Sequence, residues 1–295
     1  MCGISGFNWN DKELIKRMIR IQNHRGPDDN GYYNDKYVTI GNNRLSIIDL
    51  SKAGHQPISN HNNDIWIVFN GEIYNFKEIR KELESRGYKF RSNTDTEVIV
   101  NAYEEYGDSF VEKLDGMFAF AIYDSRKRRL FIARDRMGKK PLYYYYENNK
   151  LVFASEIKTI LEYEEIEKKI DRNALAEYLV LRYVPAPRTI LTKIKKLGAG
   201  EYMIYDWEKI NIKKYYDLPR FTSENEPNPI KLLGLMEDAV EKRLIADVPI
   251  GVFLSGGLDS SAIVALMRKF SDIVRTYSVG FNMPDDELKY AEIVA

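Results

Sequence analysis

Two stretches of this chain combine residue types at spacings suited to chemistry. Met1-Cys2-Gly3-Ile4-Ser5-Gly6-Phe7 carries the one cysteine among 295 residues, directly behind the initiator methionine. A small second residue permits methionine removal, which would make Cys2 the N-terminus. A free thiol ionises only near pH 8.5. An α-amino group with a pKa of about 7.7–8.0 can take its proton, so one residue would supply both nucleophile and base. Gly3 and Gly6 would let the backbone approach a substrate closely. The same position also suits a small buried hydrophobe opening a strand, the usual place of a lone cysteine. The second stretch is Ser255-Gly256-Gly257-Leu258-Asp259-Ser260-Ser261. It follows the apolar run Pro249–Leu254 and precedes the helical spacing of Ala262–Phe270, with Thr276–Phe281 as a second strand. Backbone N–H groups at the start of such a helix suit an anionic phosphate, although an ordinary glycine-rich turn between strand and helix has the same composition.

The elements that position these stretches fall into two groups. At 295 residues the chain exceeds the common single-domain size of about 100–200, so two domains are expected. The texture changes at Asp217–Pro229, where three prolines among polar residues read as a linker, giving domains at 1–216 and 230–295. Before it, Val38–Ile40, Ile65–Phe69, Met117–Tyr123, Arg129–Ala133, Leu142–Tyr146 and Leu151–Ala154 read as strands. Lys12–Ile21, Lys77–Arg86 and Thr96–Tyr106 have helical periodicity, and Glu162–Lys169 reads as a solvated surface segment. After it, Leu232, Leu235, Met236, Ala239, Val240 and Leu244 form a helix stripe, and Pro249–Leu254 reads as a strand buried on both faces.

Composition excludes several function classes. A net charge of zero argues against nucleic-acid binding by bulk electrostatics. One cysteine excludes an intrachain disulfide, and no apolar run approaches the roughly 20 residues that span a bilayer. No signal peptide is visible, so a cytoplasmic enzyme is the simplest class; a soluble interaction protein shares the composition. Three further positions stay open on sequence grounds. Asn70-Gly71, between Ile65–Phe69 and Ile73–Phe76, carries the type I′ hairpin signal. Thr94 or Asp95 reads as the cap of the helix Thr96–Tyr106, and Arg44 as a surface ion-pair residue. His24, His55 and His61 lack the compact spacing of a metal site.

Taken together these motifs resemble a known family. Ser255–Ser260 matches the Ser-Gly-Gly-x-Asp-Ser pyrophosphate loop of ATP pyrophosphatases and lacks the Gly-Lys-Ser/Thr of a Walker loop. With Cys2, His24-Arg25-Gly26-Pro27-Asp28-Asp29, Arg44-Leu45-Ser46-Ile47-Ile48-Asp49, Phe69-Asn70-Gly71-Glu72-Ile73-Tyr74-Asn75 and Arg134–Tyr144, the chain resembles the glutamine-hydrolysing asparagine synthetases. The resemblance implies an α+β fold: a four-layer αββα N-terminal-nucleophile hydrolase sandwich, followed by an incomplete Rossmann-like α/β ATP-pyrophosphatase domain. It implies that Cys2 attacks the side-chain amide of glutamine and that Asn70 and Gly71 form the oxyanion hole. Arg44 would bind the glutamine α-carboxylate, and Asp95 with Glu72 the ammonium. Leu254, Ser255, Gly256, Gly257, Asp259 and Ser260 would hold pyrophosphate, with Val279 and Gly280 beside adenine or ribose and Asp259 on Mg2+. ATP and Mg2+ enter as substrates, with no prosthetic group. The implied partners are glutamine, aspartate and ATP, with a homodimer as the candidate assembly and neither nucleic acid nor membrane.

The chain as given stops at Ala295, after one strand–loop–helix–strand unit. The expectation is therefore glutamine hydrolysis without asparagine formation, since the segments that bind aspartate in the family lie further on. Two other readings stay open: a sister amidotransferase serving another carboxylate, and a non-catalytic remnant that binds without turnover.

Overall fold

A computed structural model describes residues 1–219, 228–281 and 286–295. The chain divides into two compact units, 1–219 and 220–295, each described by itself. The expected linker at 217–229 falls largely on residues outside the described ones.

The first unit runs β1 (Gly3–Phe7), α1 (Lys12–Ile21), β2 (Asp29–Asn34), β3 (Thr39–Arg44), β4 (Ile58–Ser59), β5 (Ile65–Ile73), α2 (Phe76–Ser85), α3 (Asp95–Tyr106), α4 (Phe110–Lys113), β6 (Gly116–Asp124), β7 (Arg129–Arg134), β8 (Tyr143–Glu147), β9 (Lys150–Ala154), α5 (Ile157–Ile160), α6 (Arg172–Leu181), β10 (Ile194–Lys196), β11 (Glu201–Tyr205) and β12 (Ile210–Lys214). The strands form two antiparallel six-stranded sheets, ordered β10-β8-β9-β1-β3-β2 and β12-β11-β7-β6-β5-β4. Their facing sides share one core: Ile4, Ile40, Leu151 and Phe153 from the first sheet meet Val68, Ala121, Ile132 and Tyr205 from the second. Burying each large apolar side chain of this kind is worth about 1.5–3 kcal/mol, which is what keeps the two sheets together.

Helices cover the outer faces. In α1, Asp11 caps the first turn by accepting hydrogen bonds from the N–H groups of Glu13 (3.0 Å) and Leu14 (2.9 Å). Leu14, Ile15, Met18 and Ile19 then recur at helical spacing and pack with Phe7, Val152 and Ala154 of the first sheet. On the second sheet α3 is buried through Val98–Ala102 and contacts β5, with α2 alongside. The order is thus helix, sheet, sheet, helix. Two local expectations differ from the structure. Tyr163 and Ile166, inside the stretch expected to be solvated, pack into the α1 layer. Gly6 faces its own sheet: a Cβ there would lie 2.5 Å from the Phe153 ring and 2.8 Å from the Thr39 carbonyl oxygen, so this glycine serves the packing within the sheet.

The second unit holds α7 (Pro229–Lys242), β13 (Gly251–Phe253), α8 (Leu258–Phe270), β14 (Arg275–Tyr277) and α9 (Leu288–Val294). β13 and β14 pair in parallel around α8. Only part of the expected α7 stripe is inside: Met236, Val240 and Leu244 pack on Leu266 and Met267, while Leu232 and Leu235 are exposed. The strand expected to be buried on both faces is covered on one, with Phe253 77% exposed and Leu254 inside. Residues of α7, α8 and α9 pack on the face that carries Val252 and Leu254, and the other face, whose side chains point to the opposite side of the pleat, is left open.

Candidate active site

In the first unit the ends of β1, β3 and β5, the start of α3 and the turn before β8 converge on one pocket. It is lined by Met1, Cys2, Arg44, Leu45, Ile47, Ile48, Gln56, Phe69, Asn70, Gly71, Glu72, Thr94, Asp95, Thr96 and Lys140, around about 590 Å3 of empty space. Every sequence-selected residue of the first domain is present: Cys2, Arg44, Asn70, Gly71, Glu72 and Asp95.

Cys2 sits one residue ahead of β1, whose Gly3 pairs with Asn43 of β3. Its Sγ accepts the Leu45 N–H at 3.3 Å and donates to the Leu45 carbonyl oxygen at 3.6 Å. Burial pushes the thiol above its ordinary range, and the Leu45 hydrogen bond opposes this. The Cys2 carbonyl is held from behind by Arg25, whose Nε donates to it at 2.9 Å and whose Nη1 pairs with Glu156 at 3.1 Å. Ser155 locks Ile4, two residues further on, its Oγ accepting the Ile4 N–H at 3.0 Å and its N–H donating to the Ile4 carbonyl at 2.9 Å.

Asn70 and Gly71 do not form the hairpin that the dipeptide signals. β5 continues through them, pairing Asn70 with Ala119 and Gly71 with Phe118 of β6, and neither takes the positive φ that a type I′ turn needs. A Cβ at Gly71 would lie 2.2 Å from the Met117 carbonyl oxygen and 2.8 Å from Phe118 Cα. Backbone cannot yield there, so Gly71→Ala should cost about 1–3 kcal/mol through overpacking. The expected result is a melting temperature lower by several degrees in a thermal scan, and an unchanged melt would refute the close-approach account. Asn70 is 1% exposed, yet neither its Nδ2 nor its Oδ1 has a hydrogen-bond partner among the described residues. Leaving a buried amide unpaired costs about 1–3 kcal/mol, so an unpaired amide in a pocket wall is a group awaiting a ligand.

Arg44 is buried, not on the surface. Its Nη2 donates to the carbonyls of Ile48 (3.1 Å) and Asp49 (2.5 Å) and its Nη1 to Ser51 (3.4 Å), fastening the loop whose Leu45 touches Cys2. The Nε–H and one Nη1–H of the five guanidinium donors remain for a carboxylate. At α3 the cap is Thr94, whose Oγ1 accepts the Glu97 N–H at 3.2 Å. Asp95 is thereby released for the pocket, and its Oδ2 accepts the Ile73 N–H at 3.0 Å. Burial, with Glu72 adding like charge, pushes the Asp95 carboxyl up to about 7 against its Ile73 hydrogen bond. Burial also raises Glu72, while Lys140 pulls it back.

The loop of the second unit has the form expected of a phosphate cradle. Ser255 Oγ lies 3.0 Å from Ser260 Oγ and accepts the Gly257 N–H at 3.3 Å. Gly256 takes φ +81°, a conformation that favours glycine. α8 starts at Leu258 with no side-chain cap, so the N–H groups of its first turn face outward beside Asp259. Leu254, Ser255 and Val279 share a pocket with Tyr277, Ser278 and Leu288, of about 480 Å3 of empty space; Gly256, Gly257, Asp259, Ser260 and Gly280 do not line it. No cluster of three His, Cys, Asp or Glu side chains able to hold a metal occurs among the described residues.

With this geometry in place, residues 1–216 match the glutamine amidotransferase domain family. The chain belongs to that family. Residues 231–295 match the asparagine synthase family. The chain is 41% identical to a putative glutamine-hydrolysing asparagine synthetase of Methanocaldococcus jannaschii, over 100% of this chain and 62% of that protein. It is 40% identical to asparagine synthetase 1 of Bacillus subtilis over 95% of this chain and 46% of that protein, and 37% identical to asparagine synthetase B of Escherichia coli over 92% and 45%. The chain thus spans about half the length of the curated relatives it matches. Among solved structures it is similar to the glutamine phosphoribosylpyrophosphate amidotransferase of B. subtilis, at TM-score 0.55 and 14% identity over 98% of this chain and 70% of that one. A second neighbour, an allosteric regulatory enzyme of purine biosynthesis, has TM-score 0.56 and 16% identity over 95% and 66%. These likenesses carry the layered fold.

Sequence reasoning did not select Lys140, which lines the pocket, or Arg25, Glu156 and Asp135, which hold the Cys2 carbonyl and the Lys140 backbone from outside it. Arg25 and Glu156 are 131 positions apart, and only the fold brings them together behind Cys2. Asp135 and Lys140 lie inside Arg134–Tyr144, a segment that the resemblance already marked as a block; a buried charge in a turn is the signal that such a block holds a site.

Proposed function

We propose that residues 1–216 hydrolyse glutamine on Cys2 and that 230–295 belong to an ATP-dependent synthetase that uses the ammonia to convert aspartate to asparagine. The observation that carries the first part is the pairing of the chain's one cysteine with the buried, unpartnered Asn70 amide in a single pocket. With Met1 removed, the Cys2 α-amine takes the thiol proton and the sulfur attacks the δ-carbon of glutamine. The Asn70 Nδ2 and the Gly71 N–H receive the oxyanion as the carbon becomes tetrahedral. The C–N bond then breaks, the amine returns its proton to the leaving nitrogen, and ammonia departs from a γ-glutamyl thioester. Water hydrolyses that thioester to glutamate and restores the thiol. Arg44 takes the α-carboxylate, and Asp95 with Glu72 the α-ammonium. In the second unit Leu254, Ser255, Gly256, Gly257, Asp259 and Ser260, with Val279 and Gly280, would receive ATP and its Mg2+. A cytoplasmic location accords with the absence, among the described residues, of a helix long and apolar enough to cross a membrane.

The test is covalent capture. A diazoketone analogue of glutamine should add one equivalent to the chain, at Cys2, in intact-mass and peptide analysis, and glutamine should protect. Labelling elsewhere, or none in protein that lacks Met1, would overturn the assignment.

The raised Asp95 pKa gives the site a pH dependence. The ionised carboxylate binds ammonium and the protonated acid does not. Asp95 with a pKa of about 7 loses its charge as the pH falls through 7. The glutamine KM should therefore rise by up to about tenfold per pH unit below that point. Asp95→Asn should have a high KM with that dependence removed. A wild-type KM that stays flat from about pH 8 to 5.5 would show that Asp95 is not the ammonium site.

A further inference from the structure

One charged side chain in the pocket makes no hydrogen bond or ion pair among the described residues and has no assigned task. Lys140 is 6% exposed, lines the pocket, and its Nζ makes no hydrogen bond or ion pair among the described residues. Its neighbour Lys139 is exposed, so one of two adjacent lysines has been turned inward. The backbone holds it there from both sides. Asp135 Oδ2 accepts the Lys140 N–H at 3.0 Å, and Arg134 Nε donates to the Lys140 carbonyl oxygen at 2.7 Å. The same Asp135 Oδ2 accepts the Phe118 N–H at 3.1 Å, and Phe118 is the residue paired with Gly71. One buried carboxylate thus fixes Lys140 relative to the strand that carries Asn70 and Gly71. An unpaired ammonium with so little access to water has a desolvation cost of several kcal/mol, and burial indeed lowers its pKa against the pull of Glu72. Such a placement is maintained where the charge acts on something in the pocket.

We propose that Lys140 is a positioning residue for the nucleophile: its ammonium holds the Cys2 sulfur in the anionic form inside an otherwise desolvating pocket. This inference rests on the glutaminase reading of the site. The charged groups that act on Cys2 are the N-terminal amine, Arg44 of β3, Asp95 of α3 and Lys140, with Arg25 on the Cys2 carbonyl, Glu72 of β5 beside Lys140 and Asp28 beside the N-terminal amine. Arg25 is engaged by Glu156 and the Cys2 carbonyl, and Arg44 by three loop carbonyls. Glu72 and Asp95 disfavour an anion. Lys140 is the cation of this set whose head group makes no hydrogen bond or ion pair among the described residues, so its field falls on the pocket itself, on the Glu72 carboxylate first and on Cys2 next.

Because the chain has one cysteine, its alkylation by iodoacetamide reports the Cys2 thiolate alone. Rates should be taken across pH on the purified full chain without Met1. Lys140→Met should alkylate about tenfold more slowly at pH 7 and shift the midpoint upward. Lys140→Arg should stay near wild type, and Lys139→Met should be unchanged. Lys140→Gln is the fallback should the methionine variant lose its native circular dichroism spectrum. Equal rates and midpoints in all variants would overturn the proposal. So would unchanged alkylation with a raised glutamine KM, which would make Lys140 a ligand for the substrate. Failure of the glutaminase reading has its own signature, glutamine hydrolysis that survives Cys2→Ala.

Discussion

Cys2→Ala is expected to reduce glutamine hydrolysis to background, a loss on the order of 10^4-fold or more. The size follows from how little else in the pocket can attack a carbon. Arg44 and Lys140 line the same cavity but are cations at neutral pH, and Glu72 and Asp95 are poor nucleophiles toward an amide. Cys2→Ser should be nearly as inactive, because a hydroxyl is a far weaker acid than a thiol and the α-amine cannot draw off its proton. Retained Met1 should have the same outcome by a different route: the amine moves one residue away and the Cys2 nitrogen becomes an amide without basicity. Glutamate release from preparations sorted by intact mass into Met1-retained and Met1-removed forms separates these effects. Equal turnover in wild type and Cys2→Ala would refute the nucleophile assignment.

How much of this was legible in the sequence varies with the range of the interaction involved. Helix α1 could be read directly, since its cap and its apolar face are local. The residues of the pocket were legible as a set through the family resemblance, which marks Cys2, Arg44, Asn70, Gly71, Glu72 and Asp95 together. The geometry within those blocks was less so. Asn70-Gly71 has the strongest local turn signal in the chain, and pairing with β6 over a buried strand overrides it. Arg44 reads as a surface residue until the carbonyls of 48, 49 and 51 are seen to curl around it. Thr94 and Asp95 were equivalent candidates for the helix cap, and only the hydrogen bonds decide that the first caps while the second faces the pocket. Lys140 and Lys139 cannot be told apart by type; the Asp135 carboxylate, which organises the turn through the N–H groups of Met137, Lys139 and Lys140, is what selects the inward one.

The second large effect is expected at Asn70, and it should differ in kind from that at Arg44. Asn70→Ala removes a donor already fixed in the pocket wall and unpaired in the free protein, so no hydrogen bond is lost in the unliganded state. Its Nδ2 is placed for an oxygen whose charge grows as the carbon becomes tetrahedral, and that contact is strongest in the transition state. Removing one such donor typically costs about 10^2–10^3 in kcat, with KM little changed. Arg44→Lys acts on ground-state binding, replacing the Nε–H and Nη1–H donors left over by the loop carbonyls with a flexible point charge that cannot hold both the loop and a carboxylate. It also leaves the carbonyls of Ile48, Asp49 and Ser51 without their common donor, so a raised KM should come with a looser loop and faster proteolysis near residues 45–51. Steady-state glutamate release at several glutamine concentrations reads both constants for both variants. The assignment stands if Asn70→Ala is chiefly a kcat defect and Arg44→Lys chiefly a KM defect. If Asn70→Ala instead raises KM with an unchanged kcat, the amide is a substrate-binding group and the oxyanion must be met by the Gly71 N–H with some other donor.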